Sequence, residues 1–127
     1  MAAPLTIAVK RIHDPVAAGD GARFLVDRLW PRGVSKEKAA LAAWLKPLSP
    51  SDALRKTYHG ATAESDEAWD AFRRDYFAEL DVGSDEAKAA LFTLDAAASA
   101  GPVTLLYAAK DPARNNAVAL CEWLERR

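Results

Sequence analysis

Phe24-Leu25-Val26-Asp27-Arg28-Leu29-Trp30-Pro31-Arg32-Gly33-Val34-Ser35-Lys36 passes within one segment from an apolar triplet, through a charged turn, to a helix start. The triplet is continuous rather than alternating, and Arg23 and Asp27 flank it. A strand of that character has both faces covered, which is the signature of a parallel sheet between layers. Ser35 is a residue type that caps helices, because its hydroxyl accepts a backbone N–H that the first turn leaves unpaired. A buried strand, a charged turn and a helix cap in that order make a strand-to-helix unit of an α/β protein.

Working outward, the segment before it places Leu5, Ile7 and Val9 at period two and ends in Lys10-Arg11-Ile12, which predicts a first strand over 5–12. His13 to Gly21 carries Asp14-Pro15 and Gly19-Asp20-Gly21, the residues of turns. A third apolar run, Val103 to Ala109, follows Gly101-Pro102. The rest has helical spacing. Ser35 opens a helix carrying Leu41, Trp44 and Leu45 and stopped by Pro47. Ser49-Pro50-Ser51-Asp52 reads as cap, first-turn proline and first-turn acid before Leu54 and Tyr58. Ser65-Asp66-Glu67 opens the clearest helix, with Trp69, Phe72, Tyr76 and Leu80 on one face. Ser84-Asp85-Glu86 starts another, with Leu91 and Leu94, and Asp111-Pro112 begins the last, with Ala117, Leu120, Cys121 and Leu124. The expectation is one layered α/β domain over 1–127, with a small, mainly parallel sheet flanked by about five helices. One link is short for it. Nine residues, His13 to Gly21, are fewer than a parallel crossover usually takes, so the first two strands are expected to be antiparallel or not adjacent.

Composition removes several function classes. The 127 residues hold 17 Lys plus Arg against 18 Asp plus Glu, a formal charge of -1, and 50% are apolar. That balance argues against disorder and against the long basic face of a nucleic-acid binder. The single cysteine, Cys121, has no internal partner, and the two histidines, His13 and His59, stand far apart, which excludes a disulfide scaffold and a zinc finger. The N-terminus lacks a signal-peptide pattern and no apolar run approaches the ~20 residues of a bilayer span, so a cytoplasmic protein without a membrane partner is expected.

Two turns carry the unusual residues: Asp27 to Lys36, and Tyr107-Ala108-Ala109-Lys110-Asp111-Pro112-Ala113-Arg114-Asn115-Asn116. In open α/β sheets ligands bind outside the carboxyl ends of strands, where the following helices aim their N-termini. Unpaired N–H groups and about half a positive charge at a helix start suit an anion there. Arg28 and Arg32 are planar forks for phosphate or carboxylate, and Lys110 is a point charge. Trp30 offers a flat face, Gly33 permits a left-handed backbone, and Asn115 and Asn116 are poor helix formers with hydrogen bonds to give. Arg73 lies beside the apolar stripe of the long helix and is expected to reach the same place. Asp27 and His59 are the candidate general acid or base. Each has a plainer structural reading: Arg28 as an internal ion pair with an acid such as Asp75 or Glu79, Trp30 as core, His59 as a helix C-cap. Cys121 shares a buried stripe, where a thiol is inert.

The runs Lys10-Arg11-Ile12, Leu25 to Lys36 and Leu105 to Ala117, with Trp44-Leu45, Leu54-Arg55, Tyr58-His59, Trp69 and Phe72-Arg73 between them, resemble the YeaO-like bacterial proteins over nearly the whole chain. These are a branch of a family of domains of unknown function. The resemblance implies a small cytosolic α/β domain and no established activity. Longer relatives in the wider family carry a cysteine where this chain has Tyr107, and Cys-His-Arg where it has Asn115-Asn116-Ala117, so their thiol or metal chemistry is not implied here. Three functions follow. The first is an enzyme acting on a phosphorylated or other anionic small molecule. The second is a non-catalytic nucleotide or metabolite sensor using the same residues, and the third, disfavoured by charge, is a nucleic-acid binder. No cofactor is indicated.

Overall fold

The computed structural model describes residues 7–58 and 61–127. Four strands, β1 (Ile7–Arg11), β2 (Ala22–Leu25), β3 (Ala43–Trp44) and β4 (Val103–Tyr107), form one sheet in the order β1-β4-β2-β3. Every pairing is parallel: Ile7 stands opposite Val103, Ala22 opposite Val103 on the other side, and Phe24 opposite Ala43. Among the described residues five α-helices complete it: α1 (Lys36–Ala39), α2 (Asp52–Thr57), α3 (Asp66–Val82), α4 (Asp85–Ala100) and α5 (Asn116–Arg126). The expected class is therefore present: one α/β domain with a parallel sheet.

The short link resolves as non-adjacency. β4 lies between β1 and β2, and residues 12–21 return to the start of β2 without a long helix. An extended chain covers about 3.3 Å per residue, so ten residues outreach a five-residue strand nearly twofold. A salt cluster fastens the return. Asp20 accepts from Lys10 at 3.1 Å and from Arg23 at 2.5 Å, while its carbonyl accepts from the Thr104 hydroxyl at 2.8 Å. Gly21 follows with φ 64°, and a Cβ there would stand 2.1 Å from the Pro102 carbonyl oxygen, so only glycine fits against the start of β4.

Alternation divides the core between the two faces. Phe24, Val26, Val103 and Leu105 pack with α2 to α5 in the main core, with Leu94, Leu120 and Leu124. Leu25 and Leu106 face the opposite way, under Ile12, Ala39, Trp30, Val34 and Trp44. Three expected boundaries move. The first helix is one turn long, because Ala40 adopts a left-handed φ of 49° and the chain then extends into β3. Trp44 is thus a strand residue, and its placement on a helix face fails. α2 is capped by Ser51, whose hydroxyl accepts from Leu54 N, so Ser49 and Pro50 precede it. α5 begins at Asn116 with Asn115 as cap rather than at Asp111-Pro112, since the Asp111 carboxylate takes the N–H groups of Ala113 and Arg114 into a separate turn. The caps of α3 and α4, Ser65 and Ser84, accept from Ala68 N and Ala87 N as the spacing predicts. No helix among the described residues is long and apolar enough to cross a membrane.

Candidate functional site

The turns that follow β2 and β4 lie side by side, because those strands are parallel neighbours. They are also stitched together. Asp27, two residues past β2, accepts the Ala108 N–H of the other turn at 2.9 Å through Oδ2. Its Oδ1 accepts from Asn116 Nδ2 at 3.1 Å, and the same amide donates to the Val26 carbonyl at 2.9 Å. The first residue of α5 is thereby pinned to the end of β2. Asp27 is largely buried, and loss of hydration raises its carboxyl above the ordinary range. The bonds from Asn116 and Ala108, and the nearby Arg55 charge, oppose that rise.

A cavity of about 340 Å³ opens over this junction. From the first turn it is lined by Asp27, Arg28, Leu29, Trp30 and Pro31, and from the second by Ala108, Ala109, Arg114, Asn115 and Asn116. α2 and its flanks close it with Pro50, Arg55, Tyr58 and Thr62, and α3 adds Phe72. Its charged lining residues are Arg28, Arg55 and Arg114 against Asp27. Each arginine also meets a rim carboxylate: Arg28 Nε stands 3.1 Å and Arg55 Nη2 3.4 Å from Asp52 Oδ1, and Arg114 pairs with the exposed Asp66. The Tyr58 hydroxyl donates to Asp75 at 2.6 Å, a bond to a carboxylate that raises the phenol.

The loop holding the first turn has a shape its sequence explains. Gly33 takes φ 74°, which lets the chain fold back so that Trp30 Nε1 donates to the Val34 carbonyl at 2.7 Å. Trp44 Nε1 donates to the Asp27 carbonyl at 2.6 Å, and the two indoles meet edge to face with centroids 5.5 Å apart. Trp30 is therefore at once packed against the second core and a wall of the cavity.

Of the residues singled out in the sequence, Asp27, Arg28, Trp30, Asn115 and Asn116 line one cavity. Arg32 and Lys110 are exposed and do not line it. Arg73, expected to reach this place, points elsewhere. Glu122 of α5 binds its Nε at 2.8 Å, Asp70 binds Nη1 at 3.1 Å, and the rings of Trp69 and Phe77 lie 5.7 and 5.9 Å from its guanidinium carbon. Residues beside an apolar stripe can serve either flank, and the α5 carboxylate decides for this one. Arg28 does form an internal ion pair, with Asp52 rather than Asp75 or Glu79. His59 falls outside the described residues. Cys121 lies on α5, half-buried, and burial pushes its thiol up to about 11. Three lining residues escaped the sequence reading as ligands: Arg55, Arg114 and Tyr58. Arg114 sat in the second turn, while Arg55, three residues after Asp52, looks like an ordinary helix-surface pair. Among the described residues no three His, Cys, Asp or Glu side chains group as metal ligands.

Residues 6–127 match the family described as the inactive DUF488-N3 subclade. The chain is 42% identical over 120 residues to uncharacterized protein YeaO of Escherichia coli (strain K12), covering 94% of this chain and 97% of that one. It is 33% identical over 121 residues to uncharacterized protein Rv3073c of Mycobacterium tuberculosis (strain ATCC 25618 / H37Rv), covering 95% of both. No solved structure matches it. Its match to the family along almost the whole chain, with relatives that align from end to end, makes this protein a member of the inactive DUF488-N3 subclade, the YeaO-like group.

Proposed function

We propose that this protein binds a phosphorylated or otherwise anionic small molecule in the cavity at the carboxyl ends of β2 and β4, as a non-catalytic binding module. The observation that carries the reading is the set of three guanidinium groups, Arg28, Arg55 and Arg114, converging on one cavity beside the N-terminus of α5. Planar forks and helix-start N–H groups favour oxyanions over other ligands. The cavity volume, about 340 Å³, suits a small metabolite and falls short of a polynucleotide groove.

Two observations favour binding over chemistry. Both carboxylate oxygens of Asp27 are engaged in joining the two turns, by Ala108 N and Asn116 Nδ2. The matched family is described as inactive. The second reading, an enzyme using Asp27 as general acid or base, is favoured by one specific feature: burial raises the Asp27 carboxyl toward the range where proton transfer is useful.

Native mass spectrometry of the purified protein against a panel of nucleotides and sugar phosphates tests the reading. A stoichiometric adduct that survives in the wild type and is lost in Arg28→Ala and Arg114→Ala is expected. Absence of any adduct with every anion, or adducts indifferent to both substitutions, overturns it. Turnover of a bound compound, abolished by Asp27→Asn with binding retained, would decide for the enzyme.

A further inference from the structure

The Arg28–Arg55 side of the cavity holds a specific misfit. Both guanidinium groups approach the same atom, Asp52 Oδ1, at 3.1 and 3.4 Å. The Asp52 side chain is 57% exposed and does not line the cavity, so it is a solvated group beside it rather than a buried counter-ion. Meanwhile Arg55 Nε is buried and has no hydrogen-bond partner among the described residues. The Arg28 and Arg55 side chains are 32% and 37% exposed, so water meets their outer donors, but the buried Arg55 Nε lacks an acceptor, which is costly for a charged donor.

From this we infer that Asp52 is a displaceable placeholder in a phosphomonoester seat formed by Arg55 and Arg28, an inference that rests on the anion-binding reading above. An oxyanion entering there accepts from Arg55 through Nε and Nη2 together, supplies the missing acceptor, and releases Asp52 to solvent. The placeholder also sets a threshold. A tethered carboxylate acts at an effective concentration in the ~mM range, and an incoming ligand must outcompete it. A carboxylate ligand carries the same single charge as Asp52 and gains little by exchange. A phosphomonoester carries about -1.5 to -2 near neutral pH with three terminal oxygens, enough to engage both forks at once. The two forks thus favour phosphate esters over carboxylates by charge and acceptor number, while Asp52 raises the threshold for both by the same factor.

Calorimetric titration of the full chain with phenyl phosphate and with benzoate, two probes sharing a ring and differing in the anion, provides the test. The wild type is expected to bind phenyl phosphate and to show no heat with benzoate. Asp52→Asn keeps the side-chain shape and removes the competing charge. It should tighten phenyl phosphate about threefold, the size of an exposed ion pair's contribution, and leave benzoate far the weaker ligand. Arg55→Lys keeps a cation but loses the Nε–Nη2 fork, and should weaken phenyl phosphate about tenfold. This second variant carries the test independently if Asp52→Asn proves poorly folded. Phenyl phosphate binding unchanged by both substitutions overturns the seat while leaving anion binding elsewhere in the cavity intact. Equal affinity of the wild type for the two probes overturns the phosphate preference of the seat. No binding of phenyl phosphate to any form overturns the seat, whereas the anion-binding reading itself falls only if the nucleotides and sugar phosphates of the panel above also fail to bind.

Discussion

Asn116 and Asp20 show how single polar side chains hold the ends of this sheet. Asn116 joins the α5 start to Val26 and Asp27. Replacing it by alanine strips a partner from a buried carboxylate and a buried carbonyl, so Asn116→Ala should cost about 1–3 kcal/mol in a denaturant melt. It should also loosen the cavity floor and lower anion affinity. At the opposite end of the strands Arg23 is only 3% exposed and depends on Asp20 for its charge partner. Asp20→Ala leaves that guanidinium buried and uncompensated, and a loss of about 3–5 kcal/mol is expected from the same measurement. A loss below about 1 kcal/mol would mean that water reaches Arg23 in solution. The sequence singled out Asn116 because asparagine is a poor helix former. Nothing local marked Arg23, whose burial depends on a carbonyl, Ala39 O, sixteen residues away.

At the scale of elements, capping chemistry was legible and tertiary choice was not. Ser65 and Ser84 cap the two long helices with hydroxyl bonds to Ala68 N and Ala87 N, and a serine before two acids signals this locally. β3 was invisible for the converse reason. Two residues, Ala43 and Trp44, become a strand only because Leu25 offers a free edge, where Leu45 N bonds to its carbonyl at 2.8 Å. The start of α5 was misplaced because Asp111-Pro112 imitates a helix start while the Asp111 side chain closes its own turn. The cavity divides along the same line. Its two turns could be read as strand-to-helix loops, but Arg55 enters from α2 and Arg73 leaves toward α5, and only packing decides either. Two of the three left-handed glycines among the described residues, Gly21 and Gly33, give a graded prediction. Gly33 has open space around its would-be Cβ, so Gly33→Ala should cost only the backbone strain, about 1–2 kcal/mol. Gly21→Ala adds a collision with Pro102 and should cost clearly more or prevent folding. Equal melting temperatures for the two variants would contradict the packing of the β1–β2 return against β4.

For the whole molecule the balance of carboxylates sets the response to acid. Asp20 is held below its ordinary range chiefly by the Ala17 N–H, Asp75 by the Tyr58 hydroxyl, Asp111 by the Ala113 N–H and Glu122 by Arg73. Each folded value is lower than the unfolded one, so the stability these groups contribute is complete above the unfolded range and is lost as the pH falls through the folded values. Asp27 has the opposite sign. Its raised value means that its contribution is present below the unfolded range and is lost as the pH rises through the folded value. Four groups carry the first sign and one the second, so stability should fall as the pH drops below the unfolded carboxylate range of about 4, with Asp20→Asn showing a shallower fall. A stability that rises on acidification would reverse the assigned signs. The proposed anion-binding hollow lies at the other end of the sheet, where turns some eighty residues apart line one cavity. The most direct measurement is an amide chemical-shift titration of the isotopically labelled protein with phenyl phosphate. Signals from Asp27 to Leu29, and from Ala108 to Asn116, should move together on a single binding curve. Shifts confined to one turn, or centred on Asp20 and Arg23 at the start of β2, would contradict it.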